Sequence, residues 1–116
     1  MPTYQNMGDY LLVELSEPYS LDLLLSTIHE IADRCHKEKL DKVLVDLLKV
    51  EGNPSILDRY RFGMEIANAW GPSIEAAAIA QKTVVNYMAE TVAVNRGARF
   101  KVFFDLQEAR KWLRVA

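Results

Sequence analysis

One cysteine in 116 residues leaves Cys35 with no partner for an internal disulfide and no second thiol for a metal cage or a redox pair. No run approaches the roughly 18 uninterrupted apolar residues of a membrane helix. The opening MPTYQNMGDY lacks the basic and long apolar regions of a secretory signal. The expectation is a cytoplasmic protein without membrane insertion. Basic charge is not in excess either: 14 Lys and Arg stand against 16 Asp and Glu, for a net charge of -2. A phosphate backbone is held by a basic field, so no nucleic acid is expected among the partners. No P-loop or dinucleotide glycine pattern occurs, and no histidine has a nucleophile beside it in sequence, so no catalytic residue is assigned and no cofactor is expected. His29, Cys35 and His36 fall on one helix at separations other than three or four, which argues against a metal site.

What is present reads as an ordinary globular chain, 50% hydrophobic and 26% charged, without repeats or a linker rich in Pro, Gly or Ser. Its length predicts one domain over residues 1–116, of which 1–8 form a polar leader. YLLVELS (Tyr10 to Ser16) predicts a strand. Ser20 is a fitting N-cap for a helix whose Leu21, Leu24, Leu25, Ile28, Ile31, Ala32 and Cys35 fall on one face. KVLVDLL (Lys42 to Leu48) predicts a second strand, and a helix from about Ser55 turns Tyr60, Gly63, Met64, Ala67 and Trp70 inward until Gly-Pro ends it. SIEAAAIA (Ser73 to Ala80) predicts a third strand. A helix with Val84, Val85, Met88 and Val92 inside ends at Gly97. RFKVFFD predicts the fourth strand, and Asp105 with Glu108 forms a capping box for a last helix with Ala109, Trp112 and Leu113 inside.

Four strands alternating with four helices imply an α/β fold with a mainly parallel four-stranded sheet and right-handed crossovers. Each strand has one apolar face, and the opposite faces are mixed, carrying Glu14, Asp46 and Glu75. That asymmetry predicts sequential strand order with the helices mostly on one face. A doubly wound order would bury those three carboxylates, which is costly unless they are paired.

The segments KVLVDLLKVEGNPSILDRYRFGMEIA and MAETVAVNRGARFKVFFDLQEARKWL resemble the SpoIIAA-like family, the STAS/Sec14-type domains related to bacterial anti-sigma-factor antagonists. The likeness runs from Tyr10 to Leu113. Its most specific parts are DRY (Asp58 to Tyr60), AVNRGA (Ala93 to Ala98) and VFFDLQEARKWL. The resemblance implies a bacterial or archaeal protein, a right-handed superhelix of βα units, and a non-enzymatic regulatory or interaction module with a protein partner. Sec14-type relatives imply the alternative of a carrier or sensor for a small apolar or lipid-like ligand. In the antagonists a serine of a D-S-S-G loop is phosphorylated. The corresponding loop here keeps one serine, Ser55, without that context.

Three sets of residues are therefore candidates. Gly52, Asn53 and Ser55 precede a helix start where free N–H groups and the dipole favour an anion, although S-x-x-D also makes Ser55 a plain cap. Asp58, Arg59 and Arg61 are a candidate docking surface or a solvated face. Leu12, Leu44, Ile79 and Phe103, on the mixed face of the sheet, would form an apolar patch covered either by the leader, by a displaced helix, or by a second copy in a homodimer.

Overall fold

A computed structural model describes residues 1–82 and 86–115. Its elements are β1 (Thr3–Asn6), β2 (Leu11–Glu14), α1 (Leu21–Glu38), β3 (Lys42–Asp46), α2 (Ile56–Trp70), a short 3-10 turn (Gly71–Ser73), β4 (Glu75–Ile79), α3 (Met88–Asn95), β5 (Arg99–Phe103) and α4 (Leu106–Leu113). Val84 and Val85, expected inside the third helix, lie outside the described residues. The sheet order is β1-β2-β3-β4-β5. β2 to β5 run parallel in sequential order, as the alternation of the strands implies.

Among the described residues the sheet has five strands, not four. Residues of the expected leader form β1, which pairs antiparallel with β2 from Thr3↔Glu14 to Asn6↔Leu11. The turn between them places Gly8 at φ 99°, a conformation that suits glycine, and the Asn6 side chain accepts the Gly8 N–H at 2.8 Å. TYQN escapes a hydrophobicity-based reading because Tyr4 alone turns inward, where the Arg34 guanidinium lies 4.1 Å from its ring.

Local signals set the helix ends. Ser20 accepts the Leu23 N–H, Ser55 the Asp58 N–H, and Asp105 the Gln107 N–H, each satisfying a donor that the helix itself leaves free. Ile28, Ile31 and Cys35 of α1 and Ile66 and Trp70 of α2 pack on Leu11, Val13, Val43, Val45, Ala76, Ala78 and Phe100 of the sheet. α2 is rotated from its expected phase: Phe62 and Ile66 are buried with Gly63 and Trp70, while Tyr60 is exposed. The helix is pressed from two sides, by α1 and the sheet and by α3, so its buried arc is wider than a single stripe. Gly63 lies at the α3 contact, where a Cβ would come within 2.6 Å of Val92 Cβ.

The mixed face of the sheet is covered by α4. Ala109 and Leu113 pack on Tyr10, Leu44, Ala77, Ile79 and Phe103, with Leu12 and Trp112 at the margin. Of the covers weighed for the patch of Leu12, Leu44, Ile79 and Phe103, a displaced helix is the one present, which corrects the candidate dimer face: Leu44, Ile79 and Phe103 are buried and Leu12 half-buried within one chain. The physical reason is topological. α1, α2 and α3 each cross between adjacent parallel strands, and right-handed crossovers put them on one face. α4 is not a crossover between two of the described parallel strands, so the handedness rule does not hold it to that face. Of the three carboxylates on the mixed side, Glu14 is exposed and Asp46 half-buried. Glu75 is 7% exposed and is paired, 3.0 Å from Arg114 and 3.8 Å from Arg99.

Candidate functional site

The loop after β3 lies at the carboxyl end of the parallel strands, the side on which α/β sheets place their ligands. It is tied at several points: Leu47 N–H donates to Ile79 O at 2.8 Å, Tyr19 N–H to Glu51 O at 2.7 Å, and the Gln81 amide to Leu48 O at 2.7 Å. Gly52 has φ 106° and packs on Tyr19, which would sit 3.1 Å from an added Cβ.

Of the first candidate set, Gly52, Asn53 and Ser55 are all exposed, and Ser55 is the N-cap of α2 at 3.1 Å from the Asp58 N–H. Its hydroxyl thus already serves the helix start. Asp58 and Arg59 turn toward the body of the protein, while Arg61 is exposed. Asp58 Oδ2 accepts the Tyr19 hydroxyl. Burial first, and then the Asp58 carboxylate, push the Tyr19 phenol well above its ordinary value. Arg59 Nε donates to Pro54 O at 3.1 Å, and Nη1 reaches Asn86 Oδ1 at 3.4 Å. Asn86 Oδ1 also accepts the Met88 N–H at 3.0 Å, at the start of α3. The DRY segment therefore splits in role: Asp58 and Arg59 bind the strand-end loops together, while Tyr60 faces outward with its hydroxyl 3.3 Å from Arg96.

Around that outward face α2 leaves Ile56 68% and Leu57 69% exposed, with Tyr60 38% exposed one turn on. Ser55 and Arg61 flank them. Sequence reading passed over Ile56 and Leu57 because nothing in the apolar spacing says which apolar residues of a first helical turn project beyond the core.

Behind Arg59 a cavity of about 170 Å³ extends between the helices and the sheet. Leu24 and Ile28 of α1, Phe62 and Trp70 of α2, and Val45 and Phe100 of the sheet form much of its wall, and Gly52, Pro54, Arg59, Asn86 and Tyr87 lie toward the strand-end loops. The polar groups of the inner wall are already satisfied: Trp70 Nε1 donates to Ile28 O at 2.9 Å, and Thr27 Oγ1 to Leu23 O at 2.7 Å. Such a wall offers an apolar ligand contact area. Tyr19, Asn86 and the cavity were beyond sequence reasoning, since Tyr19 meets Asp58 across 39 residues with no local pattern.

The candidate metal ligands do not gather. His29 pairs with Glu65 at 2.9 Å, His36 is exposed, and Cys35 is buried in the core, where burial pushes its thiol from 9.0 up to about 11. Among the described residues no group of three or more His, Cys, Asp or Glu is placed to hold a metal ion, and no helix is long and apolar enough to cross a membrane.

The architecture, a sequential parallel sheet with one helix turned to its opposite face, defines the class as a βα superhelix of the STAS, or SpoIIAA-like, fold. No family model and no curated protein sequence matches the chain. Among solved structures it is similar to the crystal structure of an anti-sigma factor antagonist from Mycobacterium paratuberculosis, with a TM-score of 0.63 over 98% of this chain and 93% of that one at 14% identity. At that identity the likeness establishes the shared fold.

Proposed function

We propose that the protein is a non-enzymatic regulatory module that docks a protein partner through the first two turns of α2. The observation that carries this reading is the exposure of Ile56, Leu57 and Tyr60 beside Ser55 and Arg61. Large apolar side chains grouped at the surface with a polar rim are characteristic of contact sites. The fold of an anti-sigma factor antagonist supports the same class of role. Ser55 is the proposed switch within this surface. A phosphate on its hydroxyl would meet the helix dipole and Arg59 favourably, and Asp58 unfavourably. The test is cross-linking capture by the wild-type chain and by the double variant Ile56→Glu, Leu57→Glu, with circular dichroism to show that the fold is kept. A defined partner retained by the wild type and lost by the variant supports the reading; equal capture overturns it.

The second reading, a carrier or sensor of a small apolar ligand, is favoured by the cavity of about 170 Å³ and its apolar wall. Native mass spectrometry of the protein purified without detergent tests it. A retained small molecule supports the reading, and the bare chain mass together with no response to added apolar ligands overturns it.

A further inference from the structure

The cavity behind α2 has two chemically different ends. Its inner wall is made by Ile28, Phe62, Trp70 and Phe100, and the polar atoms there are spent on backbone carbonyls of α1. Among the described lining residues one cation, Arg59, stands at the loop end. Its Nε is anchored on Pro54 O, which orients the guanidinium plane, while its Nη1 has only a long contact of 3.4 Å to a neutral amide oxygen. A carboxylate bonds more strongly than an amide to a guanidinium and matches its planar fork.

The nearby acids set the charge of such a ligand. Asp58 lies next to Arg59 in sequence and accepts the Tyr19 hydroxyl. Glu90, also in the cavity wall, accepts the Val102 N–H at 2.7 Å. Their negative charge opposes a dianion such as a phosphomonoester at Arg59 more strongly than it opposes a monoanion. The volume sets the size: a cavity of about 150 Å³ accommodates benzene, so about 170 Å³ suits a single ring or a comparably short acyl chain.

We infer that the cavity is a binding site for a small apolar monocarboxylate, its ring or chain against Phe62, Trp70 and Phe100 and its carboxylate received by Arg59 with Asn86 displaced. The inference rests on the second reading above and adds to it the head group and the residue that selects it.

The test uses benzoate and the neutral, similarly sized benzyl alcohol, each titrated into the whole isotope-labelled protein by NMR. The Trp70 indole N–H and the Ala78 amide report the inner wall, and the Arg59 Nε–H the mouth. Benzoate is expected to move all three signals and to bind at least about tenfold more tightly than benzyl alcohol, the increment of one charge-assisted contact. Arg59→Met should abolish the advantage of benzoate over benzyl alcohol. Raising the salt from about 0.05 to about 0.5 M, roughly a threefold fall in screening length, should weaken benzoate alone and needs no variant. Equal affinity of the two ligands in the wild type, independent of salt, overturns the carboxylate inference and leaves the apolar cavity reading in place. Unmoved Trp70 and Ala78 signals with both ligands at millimolar concentration overturn both.

Discussion

At Gly63 the approach of α2 and α3 leaves no room for a Cβ, and Gly63→Ala turns that approach into a measurement. In a helix interior alanine is favoured over glycine by about 1 kcal/mol, so a free helix surface would gain stability. Here the new methyl would stand 2.6 Å from Val92 Cβ, 2.7 Å from Ala89 O and 2.9 Å from Val92 Cγ1. The first two are a Cβ and a backbone oxygen, which no rotamer change removes, so α3 has to shift. Overpacking of a tight contact costs about 1–3 kcal/mol, and the upper part of that range applies to partners fixed to the backbone. After the helix-propensity gain, a net destabilisation of about 1–2 kcal/mol remains. In urea unfolding followed by circular dichroism and tryptophan fluorescence, this appears as a midpoint lowered by about 0.5–1 M with unchanged slope. Val92→Ala removes the two γ-methyl groups but keeps the Cβ, and the Ala89 carbonyl is untouched, so adding it to Gly63→Ala does not restore the midpoint. A higher midpoint for Gly63→Ala than for the wild type would refute the close approach of the two helices.

Removing the α2 cap with Ser55→Ala lowers stability by about 1 kcal/mol, whereas Ser55→Asp, which keeps a capping acceptor, leaves thermal unfolding nearly unchanged; equal losses in both would show that the hydroxyl is not acting as the cap. The Cys35 thiol holds its proton more tightly folded than unfolded, its value rising from 9.0 to about 11. Stability is therefore constant with respect to this group below pH 9 and declines as pH rises toward 11, and Cys35→Val removes that decline in denaturation curves taken across the interval. The same thiol resists alkylation at pH 8 until denaturant is added, and rapid labelling of the native protein would contradict its burial. Trp70→Phe keeps the aromatic contact with Phe100 but loses the donor to Ile28 O, at a cost of about 1 kcal/mol in the urea midpoint.

The parts of the fold that are written locally were legible. Ser20, Ser55 and Asp105 announce helix starts within three residues of the groups they bond, and the alternation of Leu11 with Val13, Val43 with Val45 and Ala76 with Ala78 marks one face of the sheet and the sequential order that follows from it. β1 was not legible, because Thr3, Gln5 and Asn6 are polar and pairing with β2 involves the backbone, which every sequence carries. The side of the sheet taken by α4 was not legible either. Amphipathicity says that Ala109 and Leu113 seek cover, not which of two apolar faces supplies it. At the candidate site, Ser55 was readable as a cap and Asp58 and Arg59 as charged residues of an early turn. Their partners Tyr19, Pro54 and Asn86 come from three segments brought together only by the completed fold.

The Glu90 carboxylate, which takes the Val102 N–H, also determines how the molecule can be extended. β5 is the outer parallel strand of the sheet, and an amide on its free margin is a template for strand addition by another chain. With Val102 engaged by a side chain and the exposed positively charged Arg99 and Lys101 on the same strand, that margin is a poor place for an extended peptide to join. Growth by β-augmentation, and the fibre-like stacking it leads to, is discouraged there. Any extended peptide that joined this sheet would have to do so at the opposite edge, formed by β1.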